Sequence, residues 1–302
     1  MELGMIGLGR MGGDMTRRLL KGGHRVVAFD PLKTAREAAA ASGAAVTVSV
    51  KELATALKPP RIVWLMVPAG KPTEDTIDKL LPLLADGDIV IDGGNSNYRD
   101  SIGRAEKLAK KGIFLMDVGT SGGIWGLNEG YCLMVGGDVD TYYHLKPIFQ
   151  TLAPSPDTGY GYVGTNGAGH FVKMVHNGIE YGLMQSYAEG FQLLKAREEF
   201  NLDLGRVAEI WRHGSVVRSW ILDLTAAALK QDPDLERIQP YVEDSGEGRW
   251  TVEEAVKLGV PVPVISLALQ MRFRSRQPQS FSDKLLAAMR KGFGGHAVKE
   301  TK

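Results

Sequence analysis

The sequence predicts an N-terminal α/β domain with a Rossmann-type, doubly wound, mostly parallel sheet, followed by an all-α C-terminal domain. Three observations carry this expectation. Short β-rich runs alternate with helical patterns over roughly the first half of the chain. Such alternation implies right-handed crossovers and a parallel sheet. A glycine-rich loop follows the first of those runs directly, and beyond about residue 165 the β signal fades. We therefore expect one domain over 1–165 and a second over 166–302.

The elements follow in order. Strands are expected at Leu3–Ile6, Arg25–Phe29, Ile62–Val67, Ile89–Asp92, Ile113–Val118 and Tyr131–Val135. Between them, Met11–Lys21, Thr73–Leu84 and Arg99–Lys111 carry apolar residues at helical spacing. Thr158–Gly169 reads TGYGYVGTNGAG, glycine-rich and uncharged. His170–Phe200 is one long helical pattern without proline. Further helices are expected near Leu204–Leu229, Val252–Leu258, Val264–Ser275 and Ser282–Gly292.

Composition excludes several classes. The 302 residues contain 36 Lys plus Arg and 35 Asp plus Glu, a formal net charge of +1. That balance gives no electrostatic argument for nucleic acid or an anionic membrane surface. The longest apolar stretch, about Leu258 to Met271, is broken by Pro261 and Pro263 and falls short of the ~20 residues of a membrane span. The start, MELGMIGLG, lacks the basic and apolar regions of a signal peptide. The one cysteine, Cys132, excludes an internal disulfide and fits a reducing, cytoplasmic setting. Within YCLMV it is expected to be a small buried apolar side chain.

The first candidate site is a dinucleotide loop. Leu3–Ile6 runs into GLGRMGG, with Gly7, Gly9 and Gly12 in Gly-x-Gly-x-x-Gly spacing. The first glycine permits the tight turn, the second lets backbone approach a pyrophosphate, and the third lets helix and strand pack closely. The pyrophosphate would sit at a helix N-terminus, where free N–H groups and the dipole favour anions. The next strand, RVVAFD, ends in Asp30, which can accept hydrogen bonds from the adenosine ribose of NAD and would repel the 2′-phosphate of NADP. Asp30-Pro31 also reads as a turn starter. Lys33 and Arg36 are near enough in sequence to reach a phosphate, so NADP remains a second cofactor reading.

Two loops at strand ends form the second site. After Ile89–Asp92 comes DGGNSNYRDS, where Gly93 and Gly94 permit approach to a flat ring and Asn95 and Ser96 offer neutral hydrogen bonds. A turn with a helix cap is the alternative. After the next strand VGTSGG brings a second set of small and hydroxylic residues. Successive loops at the carboxyl ends of strands suggest a ligand cleft.

The third site is a helix, GHFVKMVHNGIEYGLMQSYAEG. At about 100° per residue, Lys173, His176, Asn177, Glu180 and Tyr181 share one arc of roughly 140°. The rest of the surface is Phe171, Val172, Met174, Val175, Ile179, Leu183 and Met184. A helix apolar around most of its circumference is buried. A buried amine and carboxyl facing one cavity can divide general-base and general-acid work, and burial would lower the lysine pKa. A surface Lys–Glu pair is the alternative, although a seven-residue separation is not that of a stabilising neighbour pair.

These motifs resemble the 6-phosphogluconate dehydrogenase family. The resemblance lies in GLGRMG, DGGNSNYRDS, Ser121-Gly122-Gly123 and above all GHFVKMVHNGIEYG, and continues in GVPV at 259–262 and FGGH at 293–296. The chain looks like the short form, with a single helical unit. The resemblance implies oxidative decarboxylation of 6-phospho-D-gluconate to D-ribulose 5-phosphate and CO2 with reduction of NAD. It implies that Lys173 is the general base at the C3 hydroxyl and Glu180 the acid that protonates C1 of the enediol. A β-keto acid loses CO2 readily once its carbonyl is polarised, so no metal is expected. Asn95, Ser121, Gly122, Gly123, His176 and Asn177 match positions that hold the sugar acid. Tyr181, Arg272, Arg290 and His296 match the phosphate end. The implied cofactor contacts are Gly7, Leu8, Gly9, Arg10, Met11, Gly12, Asp30, Val67, Pro68 and Asn95. Arg290 and His296 would reach a neighbouring subunit, which implies a homodimer or homotetramer. Arg274 or Arg276 could stand in for Arg272.

The chain departs from the family pattern at three places. EDSGEGRW has Ser245 where a lysine is frequent, and Arg249 is a candidate replacement contact to phosphate. Asp30-Pro31-Leu32 replaces an Asn-Arg-Thr suited to NADP, and IWGLNEG follows Gly123. Two other functions share part of this pattern. One is a related β-hydroxyacid dehydrogenase for a smaller 3-hydroxy acid, which would lack HNGIEY and the phosphate-directed tail. The other is a non-catalytic NAD-binding regulator, which would lack Lys173 or Glu180.

Overall fold

The structure, a computed structural model, describes residues 1–295 and 297–299. Among them it forms two compact units, one over Met1–Asn177 and one from Gly178 onward. In the first unit, eight strands alternate with helices in chain order: β1 (Glu2–Ile6), α1 (Arg10–Lys21), β2 (Arg25–Phe29), α2 (Lys33–Ala41), β3 (Ala45–Val46), α3 (Val50–Ala56), β4 (Ile62–Leu65), α4 (Lys71–Leu80), β5 (Ile89–Asp92), α5 (Tyr98–Ala109), β6 (Phe114–Ser121), α6 (Gly126–Glu129), β7 (Cys132–Gly136), α7 (Val139–Leu152) and β8 (Tyr160–Gly164). The strands form one sheet in the order β3-β2-β1-β4-β5-β6-β7-β8. Every pair is parallel except β6 with β7. The expected mostly parallel, doubly wound sheet is the one observed.

Both faces of the sheet are covered, because successive strand residues point to opposite sides. Leu3, Met5, Trp64, Ile91 and Met116 join one core with Phe149 and Leu152 of α7. Their strand neighbours Val63, Leu65, Val90 and Leu115 join a second core with Leu53, Ile77 and Leu108 of α3, α4 and α5. Runs such as IVWL and IVID are apolar at nearly every position for this reason.

The helix α8 (Ala168–Ala196) begins in the first unit and continues into the second. Then follow α9 (Leu204–Trp211), α10 (Trp220–Gln231), α11 (Glu247–Leu258), α12 (Pro263–Ser275) and α13 (Phe281–Gly294). In the second unit Phe191 of α8 packs with Ala208, Leu222, Ala226 and Leu229, and Tyr181 packs with Ala268 and Leu269.

The structure corrects several expectations. The long pattern at Leu204–Leu229 divides into α9 and α10, interrupted around Gly214, whose φ is +78°. The glycine-rich TGYGYVGTNGAG contains β8, whose alternating glycines mask its β character. β3 is two exposed residues, too short for any periodic signal. Helices α2, α3 and α7 were not expected; α2 is largely alanine and α7 carries Pro147 in its interior. Cys132, the first residue of β7, is exposed rather than buried. On α8, Ile179, Leu183 and Met184 are also exposed, so the apolar circumference of that helix is not covered throughout. Among the described residues no helix is long and apolar enough to cross a membrane.

Candidate active site

The loop between β1 and α1 has the geometry its glycines suggest. Gly7 has φ +93°, and a Cβ there would overlap the Met66 carbonyl. A Cβ at Gly12 would overlap the Gly7 carbonyl, whereas nothing lies within 4 Å of one at Gly9. Gly9 is the N-cap of α1, with no side-chain cap, and Arg10 is exposed. First-turn N–H groups of such a helix have no intrahelical acceptors and are open to an anion. Met11 packs its side chain on the core, which leaves only its backbone for a ligand.

Asp30 follows the last residue of β2, and its carboxylate is tied to this loop. Leu8 N–H donates to Oδ2 at 2.7 Å and Leu32 N–H donates to Oδ1 at 2.8 Å. Arg36 folds back and donates to the carbonyls of Asp30 and Pro31 at 2.6 and 3.0 Å. Lys33 lies 3.6 Å from Glu37. The two cations beside Asp30 are thus engaged within their own turn and helix. Val67, half-buried, follows β4 and is adjacent to Gly7; Pro68 beyond it is exposed.

The β5–α5 loop is braced from beneath. Asp92 Oδ1 accepts from Gly94 N–H at 3.1 Å, and Oδ2 accepts from Ser96 Oγ at 2.7 Å. Buried Arg104 of α5 donates to Asp92 at 3.2 Å and to Ser96 at 3.1 Å. It also donates to the Gly70 carbonyl at 3.3 Å and to Glu74 at 3.1 Å. One guanidinium therefore links the loops after β4 and β5, a role its fork of donors suits. This revises the sequence reading: Ser96 is buried and committed to this network. A Cβ at Gly93 would overlap Trp64, and one at Gly94 would press on the Val67 carbonyl, so packing by itself already favours glycine at both positions. Asn95 is exposed at the crest of the loop, and Asn97 caps α5 by accepting from Arg99 N–H.

At the end of β6, Ser121 is half-buried and paired in register with Cys132. Gly122 and Gly123 both have positive φ, +125° and +50°. The first turns of α8 press on the same strand, and a Cβ at Gly119 would overlap that of Lys173. Lys173 is 6 % exposed, and its Nζ donates to Asn177 Oδ1 at 2.8 Å. His176 Nδ1 stands 3.0 Å from the same oxygen. Partial desolvation raises the Cys132 thiol above its ordinary value, and nearby Lys173 acts on it in the opposite direction. Lys173, His176 and Asn177 are thus brought together beside the end of β6.

The second unit holds the remaining candidates. Glu180 is half-buried on α8. Tyr181 is buried; its hydroxyl accepts from Ser245 N–H at 3.0 Å and lies 3.2 Å from Ser245 Oγ. The Arg272 guanidinium stacks over the Tyr181 ring, 3.5 Å from its centroid, and donates to the Glu243 carbonyl at 2.7 Å. Arg249 instead grips Asp244 through two bonds of 2.8 and 2.9 Å. Arg276 donates to Asp244 at 3.0 Å, and Arg274 pairs with Asp283. Hydrogen bonding from Arg249, opposed by burial and helped by Arg276, holds the Asp244 carboxyl at about 2. The neighbouring arginines are therefore occupied by carboxylates, whereas Arg272 is held by a ring and a carbonyl. Arg290 is exposed on α13, and His296 lies outside the described residues.

Sequence reasoning missed Arg104, Asp92 and Asp117. A signal was present for the two acids: an aspartate inside an apolar strand, in IVID and FLMDVG, is costly unless a partner satisfies it.

Strand order, glycine loop and the acid after β2 define a nicotinamide-dinucleotide-binding protein of the Rossmann class. Residues 2–164 match the NAD binding domain of 6-phosphogluconate dehydrogenase, and residues 169–281 match the C-terminal domain of 6-phosphogluconate dehydrogenase. A putative 6-phosphogluconate dehydrogenase of Bacillus subtilis is 43% identical over 300 residues, covering 99% of this chain and 100% of that one. The NAD(+)-dependent, decarboxylating 6-phosphogluconate dehydrogenase of Haloferax volcanii is 46% identical over 299 residues, covering 99% and 98%. The solved 6-phosphogluconate dehydrogenase of Plasmodium falciparum superposes with a TM-score of 0.82 at 28% identity, covering 100% of this chain and 67% of that longer one. The chain belongs to the 6-phosphogluconate dehydrogenase family.

Proposed function

We propose that this protein oxidatively decarboxylates 6-phospho-D-gluconate to D-ribulose 5-phosphate and CO2, with NAD as the preferred acceptor. The observation that carries the reading is the buried Lys173, held by Asn177 and seated against Gly119 near the end of β6. Relatives alike over their full length bear that activity in their names, which favours it over a smaller 3-hydroxy acid.

NAD, when bound, supplies the hydride acceptor. Gly7, Leu8, Gly9, Arg10, Met11 and Gly12 would hold it at the open start of α1, with Asp30 at the ribose and Val67, Pro68 and Asn95 beside it. The open space at Gly9 and the Asp30 carboxylate fit the group. Lys173 Nζ, as the neutral amine, takes the proton of the C3 hydroxyl. The ammonium so formed donates to the C3 carbonyl oxygen while the bond to the carboxylate carbon breaks and CO2 leaves. Its proton passes to that oxygen, giving the enediol. Glu180 then delivers a proton to the carbon that lost CO2 while the neutral Lys173 amine takes back the hydroxyl proton from the C3 oxygen, leaving the ketone. Asn95, Ser121, Gly122, Gly123, His176 and Asn177 orient the sugar acid. Tyr181 and Arg272 take the phosphate, for which the guanidinium fork is suited.

The functional division is placed at 165/166, ahead of α8. The chain acts as a homodimer or homotetramer in which Arg290 and His296 complete a neighbouring subunit's site. Support comes from α13, where Phe281, Leu285, Leu286 and Met289 recur on one exposed face.

The test is reduction of NAD or NADP with 6-phosphogluconate, followed by absorbance, with CO2 release measured in parallel. Fast reduction with NAD and little with NADP is expected. Asp30→Ala should weaken NAD and reduce the discrimination against NADP. Turnover of a smaller 3-hydroxy acid in place of 6-phosphogluconate would overturn the substrate reading.

A further inference from the structure

The helix that carries Lys173 has no capping side chain of its own. Its entry reads TNGAGH, and Gly167 before its first residue has φ +92°. First-turn N–H groups need acceptors from elsewhere. Here the acceptor is the fully buried Asp117 of β6. Gly167 N–H donates to its Oδ1 at 2.7 Å, and His170 N–H donates to its Oδ2 at 3.0 Å. The positive end of the helix dipole favours the charge placed there. Asn166 Nδ2 adds a bond of 2.7 Å to the Leu115 carbonyl, and His170 Nδ1 lies 2.7 Å from Ser101 Oγ.

The origin of this cap matters. A cap residue on the helix moves with the helix, whereas Asp117 belongs to the sheet. Strand residues two apart share a face, so Asp117, Gly119 and Ser121 line one side of β6. The first caps α8, the second receives the stem of Lys173, and the third presents its hydroxyl at the strand end. Two N–H groups three residues apart, bound by one carboxylate, fix rise and rotation together: a slip of one residue moves the helix by about 1.5 Å and about 100°. Gly169 lets the helix come this close, since a Cβ there would overlap the Asp117 carbonyl.

We infer that Asp117 is a positioning residue that references Lys173 to the strand carrying Ser121, through the N–H groups of Gly167 and His170. The inference rests on the reading of Lys173 as the base. The experiment compares Asp117→Asn and Asp117→Ala with the parent enzyme. It measures kcat, KM for 6-phosphogluconate, NADH affinity, and the pH profile of Lys173 trinitrophenylation followed by peptide mass spectrometry. The alanine variant should lose about 10- to 100-fold in kcat with NADH affinity within twofold and a displaced labelling profile, the asparagine variant falling between. A kcat within twofold of the parent, or an unchanged labelling profile with reduced kcat, overturns it. If the alanine variant does not fold, the asparagine variant carries the same comparison. Turnover by Lys173→Met would instead refute the base assignment, while the labelling profile still decides whether Asp117 sets the amine.

Discussion

The two units bury their apolar residues very differently. In the first, strands such as IVWL and IVID are buried at every position, and two cores flank the sheet. In the second, Val256 is 76 % exposed and Phe281 77 % exposed, and the buried clusters are small. A sheet with helices on both faces completes its own core. Helices that keep apolar residues on an outer face leave part of their burial to another surface, and patches of that kind mark interfaces.

This contrast can be broken or sharpened by measurement. The largest expected effect comes from Lys173→Met, which should lower kcat by on the order of 10²–10⁴ while NAD binding persists, because a positioned base contributes about that much. An unchanged kcat in single-turnover hydride transfer would remove Lys173 as base. Next is Ile91→Ala, in the middle of the sheet, which should destabilise by about 2–5 kcal/mol in thermal or urea unfolding. A loss below ~0.5 kcal/mol would show the first core to be far looser than its burial implies. Leu286→Asp should leave the first unit's unfolding unchanged yet shift light-scattering mass toward the monomer and reduce activity. An unaltered mass would refute α13 as a contact surface.

The smallest effect belongs to Asp244. Its folded carboxyl, at about 2, lies below the ordinary 3.8, so its stabilisation is complete above about pH 4 and is lost as pH falls toward 2. The difference corresponds to about 2 kcal/mol at most, and to about 1 once the solvent exposure of Arg249 is considered. Asp244→Asn should therefore flatten the acid limb of the stability curve between pH 4 and 2. A parallel curve with the same acid slope would assign that slope to other carboxylates.

How much was legible in the sequence follows the same division. The strand β2 at Arg25–Phe29 and β5 at Ile89–Asp92 matched the expected bounds, because runs buried on both faces are unbroken in the sequence. β8 was hidden by its glycines, and β3 by its length. In the site, Gly7 and Gly12 behaved as spacing implied, since their constraint is local backbone geometry. Ser96 did not, being tied by Asp92 and Arg104, and the packing of Gly93 and Gly94 against Trp64 and Val67 was unreadable because those partners are distant in sequence. Asp117 was invisible as a cap for the same reason: a capping pattern is sought within a few residues, not fifty.

That remote cap also bears on the order of folding. Most helices can form their first turn as soon as their own residues are available. In α8 the acceptor for that turn exists only once β6 is in place beside β7, so closing a chain loop of about fifty residues precedes a stable entry to the helix. The amide hydrogens of Gly167 and His170 should therefore exchange with solvent at the slow pace of the sheet, not at the fraying rate usual for a helix end. The site of the proposed proton transfer would thus be among the last parts of the first unit to assemble.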